Sequence, residues 1–521
     1  MNIKRIVLAT FLLSFSVLNA QEKAKGFVFN DNNKNGKKDS KEIGIPNVLV
    51  SNGVDVAATD AKGKYEIMLT DGQTLFVIKP NAYQFLLDEY NLPKFYYNYR
   101  PSGSPKSKYK AIEPTGKLPK EINFALIPQT ESDQFTAYAF GDPQAYTLEE
   151  IQFFKDGIVN EIDSNKAVFG ISLGDLVGDD LDLHLPYKNV IKEIGLPWYN
   201  VIGNHDMNYD AKIDEHSDES FEQNFGPANY SYNYGKVHFI ILDNILYPDP
   251  RDGKSYWGGL REDQLKFIEN DLKHVPKDHL IVLSHHIPLE DNNGEWFRVE
   301  DRDRLFDLLK DFPNTLSLSA HTHIQQQIFY GKDKGFNRST PHHEYNVGTT
   351  SGDWYSGEKN AQGVPASTMR DGTPKGYAFI HFDGNTYKVD YKVAGKPEAY
   401  QINVFAPKAV KKAKKSRHEV FANVFMGTPT DEVLFSVNNG EWKKMKYTND
   451  DDPAYESTFY KWDVSEKAME GRRPSKSMKS THLWSAKIPT DLPVGEYKVK
   501  IKATDMYGKV HFGETIYKIT E

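Results

Sequence analysis

Gly203-Asn204-His205-Asp206 closes an apolar stretch near the middle of the chain and guides the interpretation of the whole sequence. Four further polar segments follow or end apolar stretches in the same way: Gly141-Asp142-Pro143-Gln144, Gly174-Asp175-Leu176-Val177-Gly178-Asp179, His285-His286-Ile287-Pro288 and Ala320-His321-Thr322-His323. Because ligand groups collect at the carboxyl ends of strands in an α/β sheet, we expect these side chains to lie together. Carboxylate, amide and imidazole groups are the ligands that a pair of borderline divalent ions would take.

The region around these segments, residues 131–395, alternates strand and helix patterns, which predicts an α/β domain. The apolar strand Ala137–Phe140 is followed by a predicted helix over Tyr146–Ile162. Thr147 and Glu150 form a capping-box pair at the start of that helix.

The flanking regions have strand-like patterns. Residues 24–129 contain short apolar or alternating stretches between Gly, Asn and Asp turns. Residues 398–521 return to the same pattern, and we expect a small β-sandwich there. The polar stretch Asn449–Ser480 is predicted to be a long surface loop within that sandwich.

The N-terminal region also contains a calcium-type loop. It matches the pattern D-x-[DN]-x-[DN]-G-x5-E, with a turn glycine at Gly36 and oxygen ligands at Asp31, Asn33, Asn35, Asp39 and Glu42. Oxygen side chains in this spacing surround Ca²⁺, and the final glutamate binds through both oxygens. The flanks are strand-like, so the loop does not belong to an EF-hand helix pair. The alternative is an Asn/Asp/Gly-rich hairpin turn without an ion.

The chain begins with the pattern of a secretory signal. Lys4 and Arg5 precede a largely apolar stretch, Ile6–Leu18, and a small residue, Ala20, stands at the expected cleavage position. The apolar stretch is too short to span a membrane comfortably, and no later segment is long enough. The chain has no cysteine that could carry a lipid or form a disulfide. We therefore expect a soluble protein that is secreted or periplasmic.

Composition restricts the choice of partner. With 39% hydrophobic and 26% charged residues, the 521-residue chain is typical of a soluble globular protein of several domains. The net charge of −8 argues against nucleic acid or an anionic membrane as the main partner. The sequence does not determine the oligomeric state.

In order and spacing, the five polar segments resemble the motifs of the calcineurin-like metallophosphoesterases, over roughly residues 135–350. The flanking regions resemble the N-terminal and C-terminal β domains of a bacterial secreted subgroup of that family. The resemblance implies a central α/β sandwich of two mixed β-sheets flanked by helices. This sandwich would lie between an N-terminal β-sandwich (24–129) and a C-terminal one (398–521).

The resemblance also implies roles for individual residues. Asp175 would bridge two divalent ions (Mn, Fe or Zn), and a metal-bound hydroxide would attack the phosphate ester. Two groups of residues would complete the two ion sites: Asp142, Gln144 and His323 for the first, and Asn204, His286 and His321 for the second. His205 would protonate the leaving oxygen, and Asp206 would orient its imidazole.

The sequence departs from the family pattern at two positions. Gln144 stands where the family usually has histidine, so the first ion would be held more weakly, or a harder ion such as Mn²⁺ would be preferred. Gly178 stands where purple acid phosphatases have an iron-binding tyrosine. His285 and His286 compete for one ligand role, and we favour His286 because it forms His-x-Pro with Pro288.

Residues after the last motif are harder to interpret. We expect His342 and His343 to lie in a loop. Trp354 and Tyr355 would either stack on a substrate ring or pack in the core.

Two functions follow from these patterns. The first is a metal-dependent hydrolase of phosphate esters, acting on monoesters or diesters. The second is a catalytically inactive surface module that keeps the phosphoesterase fold and binds ligands. His205 together with both histidines of the last motif favours the hydrolase, because a binding module does not need all three.

Overall fold

The computed structural model describes residues 21–290 and 295–521. The signal predicted for residues 1–20 lies outside this part of the chain. Within the described residues, no helix is long and apolar enough to cross a membrane.

The N-terminal region consists of strands in two sheets. The strands are β1 (Glu22–Asn30), β2 (Leu49–Ser51), β3 (Val56–Ala58), β4 (Lys64–Leu69), β5 (Thr74–Ile78), β6 (Tyr83–Leu87), β7 (Pro93–Lys94), β8 (Tyr96–Asn98) and β9 (Phe124–Pro128). One sheet has the order β4-β1-β9-β6-β7 and the other β3-β2-β5-β8. In β4, Tyr65, Ile67 and Leu69 are buried and alternate with exposed residues. This period of two is the pattern of a strand with one face on the core.

The strands of the central region form two mixed sheets and the two-stranded ribbon β15-β16. They are β10 (Gln134–Phe140), β11 (Phe169–Leu173), β12 (Trp198–Val201), β13 (Tyr230–Tyr234), β14 (Val237–Ile241), β15 (Ile245–Leu246), β16 (Trp257–Gly258), β17 (Leu280–Ser284), β18 (Asn314–Ser319), β19 (Gln326–Tyr330), β20 (His342–Asn346), β21 (Gly376–Asp383) and β22 (Thr386–Val393). The sheet orders are β12-β11-β10-β21-β22 and β13-β14-β17-β18-β20-β19. Strands β11 and β17 are buried along their whole length, because both faces of each sheet are covered.

Five helices accompany these sheets: α1 (Leu148–Gly157), α2 (His184–Ile191), α3 (Glu219–Phe225), α4 (Glu262–Leu272) and α5 (Val299–Leu309). The helix predicted over Tyr146–Ile162 is shorter than expected. It ends because Ile158, at φ −132°, leaves the helical region before a separate 3₁₀ turn. At its start, the Thr147 side chain accepts a hydrogen bond from Glu150 N, and Glu150 in turn accepts from Tyr146 N. In a capping box the Glu150 side chain would accept from the backbone N–H of the cap residue Thr147. Here it accepts from the residue before, Tyr146.

The C-terminal region has its own core. Its strands are β23 (Ile402–Phe405), β24 (Ala409–Lys411), β25 (Glu419–Val424), β26 (Glu432–Val437), β27 (Lys443–Lys444), β28 (Lys446–Asp451), β29 (Lys479–Lys487), β30 (Gly495–Thr504) and β31 (Val510–Thr520). The sheets run β23-β25-β29-β28 and β24-β31-β30-β26-β27. Trp484, Val499 and Tyr517 are buried between them.

The prediction of a loop over Asn449–Ser480 is wrong for the first half of that range. Its first residues continue β28, and Pro453–Asp463 forms a helix, α6. Asp452 caps this helix by accepting a hydrogen bond from Ala454 N, and Pro453 occupies the first turn. Both are helix-start signals that the polar composition concealed.

The fold is thus multidomain, with a central α/β sandwich of two mixed sheets between two β domains, as predicted. The boundaries 24–129, 131–395 and 398–521 stay predictions. Phe76 of the N-terminal region packs against Phe267 of α4, and the cores of these two regions are continuous.

Candidate metal centre

The five polar segments meet where strands of both central sheets end. Asp142, Asp175 and Asn204 follow β10, β11 and β12 of one sheet. His286 and His321 follow β17 and β18 of the other. Because β10–β12 are parallel, as are β17 and β18, their carboxyl ends lie on one side of each sheet.

His286 is at the centre of one group of candidate ligands. Its Nε2 lies 3.1 Å from Asn204 Oδ1, 3.3 Å from Asp175 Oδ2 and 3.1 Å from His321 Nδ1. Its Nδ1 donates to Leu173 O at 2.8 Å, which turns Nε2 toward the cluster. The ligand atoms of Asp175, His286 and His321 all lie within 4.8 Å of one another.

The second group is built in the same way around His323. Its Nδ1 donates to Gly352 O at 2.6 Å, and its Nε2 faces Asp142 Oδ2 at 3.1 Å. Gln144 is buried nearby, and its Nε2 donates to Tyr146 Oη at 3.3 Å.

Two buried oxygens indicate that the residues fit a metal ion. Asp142 Oδ2 and Gln144 Oε1 accept no hydrogen bond from the described residues although both are buried. An unsatisfied buried acceptor costs about 1–3 kcal/mol, and a bound cation would remove that cost. The donor set of imidazole, carboxylate and amide groups also suits ions such as Mn, Fe or Zn.

Backbone conformation marks the same residues. Left-handed φ values occur at five candidate ligands: Asp142 (30°), Gln144 (34°), Asp175 (46°), His321 (70°) and His323 (52°). Such conformations cost energy in residues other than glycine and cluster at functional sites.

The charges within the cluster are strongly coupled. Burial disfavours the charged form of His286, but Asp175 and Asp142 raise its pKa to about 9. Burial and the nearby His286 lower the pKa of His321 to about 4. Burial alone would raise the pKa of Asp175, yet His286 and His205 hold it well below its ordinary value.

His205 is placed beside the cluster. Its backbone N donates to Asp175 Oδ1 at 2.8 Å, and its Nε2 is 4.0 Å from Asp175 Oδ2. Its side chain is 24% exposed, whereas those of Asp142 and His286 are fully buried. Burial opposes its charge, but Asp175 and Asp179 raise the pKa of His205 to about 9. It can therefore carry a proton toward a bound substrate.

Asp206 does not orient His205, and that expectation is wrong. Its carboxylate accepts from Leu176 N, Val177 N and Gly203 N and contacts His184 Nε2 at 3.1 Å. It thus joins two metal-site loops. The carboxylate on the His205 ring is Asp179, with its Oδ1 2.7 Å from His205 Nδ1. The sequence signal for Asp179 was its place in Gly174-Asp175-Leu176-Val177-Gly178-Asp179.

His285 lies outside the cluster. Its Nδ1 donates to Ile287 O at 2.9 Å, and burial lowers the pKa of its ring to about 3. Of the two adjacent histidines, His286 is the one that faces Asp175.

Aromatic rings surround the candidate ligands. Tyr146 meets His205 edge-on at 5.9 Å, and Tyr256 meets His321 edge-on at 6.1 Å. Trp354 stacks on His323 at 4.1 Å, and Tyr209 lies beside Asn204. Tyr355 is instead buried, with its hydroxyl donating to Pro143 O. The sequence had indicated Trp354 and Tyr355, and of these Trp354 lies at the ligands while Tyr355 packs in the core. The roles of Tyr146, Tyr209 and Tyr256 were not predicted, since isolated tyrosines carry no spacing signal.

The calcium-type loop is separate from this centre. Asp31 accepts from Asn35 N and Gly36 N, and Glu42 accepts from Asn32 N and Asp39 N. Asn33 and Asn35 donate their side-chain amides to Asp39 Oδ2. Asp31 is fully buried and Glu42 is 8% exposed.

Three family models match the chain. They describe the N terminal of calcineurin-like phosphoesterase (residues 32–112), calcineurin-like phosphoesterase (136–325) and the C terminal of calcineurin-like phosphoesterase (344–511). A probable glycerophosphodiester phosphodiesterase from Arcobacter nitrofigilis is 28% identical over 163 residues, which are 30% of this chain and 57% of the relative. The chain thus spans little more than half of that relative's length.

Solved structures give weaker matches. A purple acid phosphatase from yellow lupin, Lupinus luteus, is 12% identical with a TM-score of 0.35, over 72% of this chain and 67% of that one. A metallophosphoesterase from Sphaerobacter thermophilus is 16% identical with a TM-score of 0.23, over 50% of this chain and 89% of that one.

The central fold matches the calcineurin-like phosphoesterase model, and its cluster of ligand side chains could hold a metal ion. The chain belongs to the calcineurin-like phosphoesterases, in the form that has both an N-terminal and a C-terminal module.

Proposed function

We propose that the protein is a secreted phosphoesterase that uses two divalent ions. The first ion would be held by Asp142, Gln144, His323 and Asp175, and the second by Asn204, His286, His321 and Asp175. The observation that carries this proposal is the pair of buried oxygens, Asp142 Oδ2 and Gln144 Oε1, that accept no hydrogen bond from the described residues. They lie beside histidines already oriented by backbone carbonyls. The bound ions would supply charge stabilisation at the phosphate and activation of water.

The residues of the chain would do the remaining work. His205 would hold a proton on Nε2 and donate it to the leaving oxygen, while Asp179 fixes its ring through Nδ1. Asp206 would keep the loops of Asp175 and Asn204 in register through its hydrogen bonds to Leu176 N and Gly203 N. The aromatic rings around the ligands would limit water near the reacting phosphate.

The main test is a substrate panel. Purified protein is stripped of metal, reconstituted with Mn²⁺, Zn²⁺ or Fe²⁺, and assayed on matched phosphomonoesters and phosphodiesters. We expect turnover with at least one ion. The name of the Arcobacter relative supports a diester as the preferred class. No turnover on any ester with any of these ions would favour the binding-module alternative.

Secretion has a separate test. A fusion of residues 1–24 to a reporter should direct it out of the cytoplasm and be cleaved after Ala20, and mass spectrometry of the mature protein would show the new N-terminus. A mature chain that still begins at Met1 would contradict the proposal.

We also propose that the loop of Asp31, Asn33, Asn35, Asp39 and Glu42 binds calcium as a structural ion. The support is the match of every ligand position to the calcium pattern, with Asp31 and Glu42 both buried at the ends of the loop.

A further inference from the structure

The C-terminal region reaches the metal centre through a short segment, residues 471–475. Gly357 N donates to Arg472 O at 2.7 Å, and Ser475 N donates to Asp353 Oδ2 at 2.7 Å. Residues 357 and 472 form an antiparallel bridge between this segment and the loop after β20. The segment is therefore attached to the catalytic domain at both of its ends.

Trp354 connects that loop to the candidate ligands. Its indole stacks on the His323 ring, with 4.1 Å between centroids, and its backbone has a left-handed φ of 48°. A bulky residue adopts this conformation only where its surroundings enforce it. Arg472 supplies part of that enforcement, since its Nη1 donates to Trp354 O at 3.2 Å. Arg472 thus contacts the main chain of the residue that covers a ligand.

Three cations near Arg472 are paired with carboxylates. Arg473 pairs with Asp463, Lys461 with Glu358, and Lys359 with Glu149. Arg472 is exposed and forms no ion pair with any residue in the described ranges 21–290 and 295–521. Its charge is therefore available to a ligand.

Tyr146 is a second ring at the candidate ligands. It meets the His205 ring edge-on, with 5.9 Å between centroids, and its hydroxyl accepts a hydrogen bond from Gln144 Nε2 at 3.3 Å. Arg472 itself contacts the main chain of Trp354.

We propose that Arg472 is a specificity-determining residue that binds an anionic group on the organic part of the substrate. Trp354 stands between Arg472 and the ligand His323. Arg472 would therefore contact a group of the substrate outside the scissile phosphate. Guanidinium presents paired donors that match a carboxylate or a second phosphate. The ring of Trp354 lies between Arg472 and His323 and would pack against the organic part. This proposal rests on the proposed function and gives the C-terminal region a role in substrate choice.

Binding of non-hydrolysable probes tests the proposal without requiring turnover. Phenylphosphonate and 4-carboxyphenylphosphonate differ by one anionic group, and their dissociation constants are measured by calorimetry on the Mn²⁺-loaded full chain. Wild type should bind the carboxylated probe more tightly. Arg472→Ala should reduce that preference by about fivefold, the upper range for an exposed charge pair, and Arg472→Lys should keep part of it. Higher salt should also weaken the preference.

The matched control is Arg473→Ala. It removes the same charge from the adjacent position, but Arg473 is committed to Asp463 and packs on Phe459 with its guanidinium 4.0 Å from the ring centre. The control should keep the wild-type preference. An equal preference in wild type and Arg472→Ala, or an equal loss in both variants, would overturn the role of Arg472. If the probes show the expected preference but no ester is hydrolysed, the recognition role stands and the proposed catalytic function fails.

Discussion

The two candidate ion sites of this protein differ in how well they are satisfied without an ion. In the calcium-type loop, the carboxylates of Asp31 and Glu42 accept backbone N–H groups, and the carboxylate of Asp39 accepts two side-chain amides. In the catalytic cluster, Asp142 Oδ2 and Gln144 Oε1 are buried and accept no hydrogen bond from the described residues, and Asp142 Oδ2 has His323 Nε2 3.1 Å away.

The difference indicates what each ion would do. A loop that closes through its own hydrogen bonds needs an ion only for additional stability. A cluster that brings buried acceptors and imidazole lone pairs together depends on cations, since unpaired buried polar groups are costly. The two sites should therefore respond very differently to metal removal and to mutation.

Removing metal should have the largest effect. Prolonged dialysis against a strong chelator should reduce hydrolysis to below about one hundredth, because the chemistry requires the charge that the ions supply. Adding Mn²⁺ should restore it, whereas adding Ca²⁺ alone should not. Metal content by mass spectrometry would be measured alongside the rate. Full activity in protein shown to be metal-free would contradict the metal-dependent mechanism.

Substitution of His205 should separate proton donation from metal binding. His205→Ala should retain both ions, since the ring is bonded to Asp179 and lies at the edge of the ligand cluster. Its rate on an alkyl ester should fall about 10²–10⁴-fold, the usual value of general acid help. An activated aryl ester leaves without a proton and should lose much less.

His321→Ala is the comparison for His205→Ala. Its Nδ1 faces His286 Nε2 at 3.1 Å, inside the ligand group. This variant should lose metal and lose rate on both esters alike. If His205→Ala also lost metal, with equal losses on both esters, then His205 would be a structural residue and not the proton donor.

Asp179 should show a smaller effect. Asp179→Asn removes a charge from the His205 ring, so the turnover rate should fall about tenfold, the low end for groups that orient a functional histidine. Because Asp179 helps to raise the pKa of His205, the variant should lose protonated His205 at lower pH than wild type. The alkaline limb of the rate profile should therefore move to lower pH. Asp182→Asn, on the same loop, is the control and should leave the profile in place.

Much of this site was predictable because its residues are encoded in short segments at strand ends. Asp142, Asp175, Asn204, His286 and His321 come together as the alternation of strands and helices implied. His342 and His343 were wrongly expected in a loop, since they form the buried strand β20, where His343 bonds Tyr387 and Gln327. The run of polar residues concealed this strand, which pairs with β18 and β19.

The position of Asp206 and the partner of Trp354 could not be predicted from the local sequence. Asp206 is adjacent to His205 in sequence, but the local 3₁₀ turn directs its carboxylate to Leu176 N and His184. Arg472 reaches Trp354 only because the C-terminal region folds back onto the catalytic domain. Contacts between residues more than a hundred positions apart depend on packing, which no local motif encodes.

The calcium loop should show the smallest effect, on stability and not on rate. If the loop binds Ca²⁺, saturating calcium should raise the unfolding free energy of the N-terminal module by RT ln(1 + [L]/Kd), about 2.7 kcal/mol at a hundredfold excess. Asp31→Asn should abolish the calcium-dependent rise in melting temperature of the full chain and leave ester hydrolysis unchanged. Asp60→Asn is the matched control in the same module. Asp60 caps a turn by accepting from Lys62 N and Lys64 N, so its loss should lower stability but keep the calcium response. The same melting temperature with and without calcium in the wild-type chain would mean that the hydrogen bonds of the loop suffice, and that the motif here forms a turn without an ion.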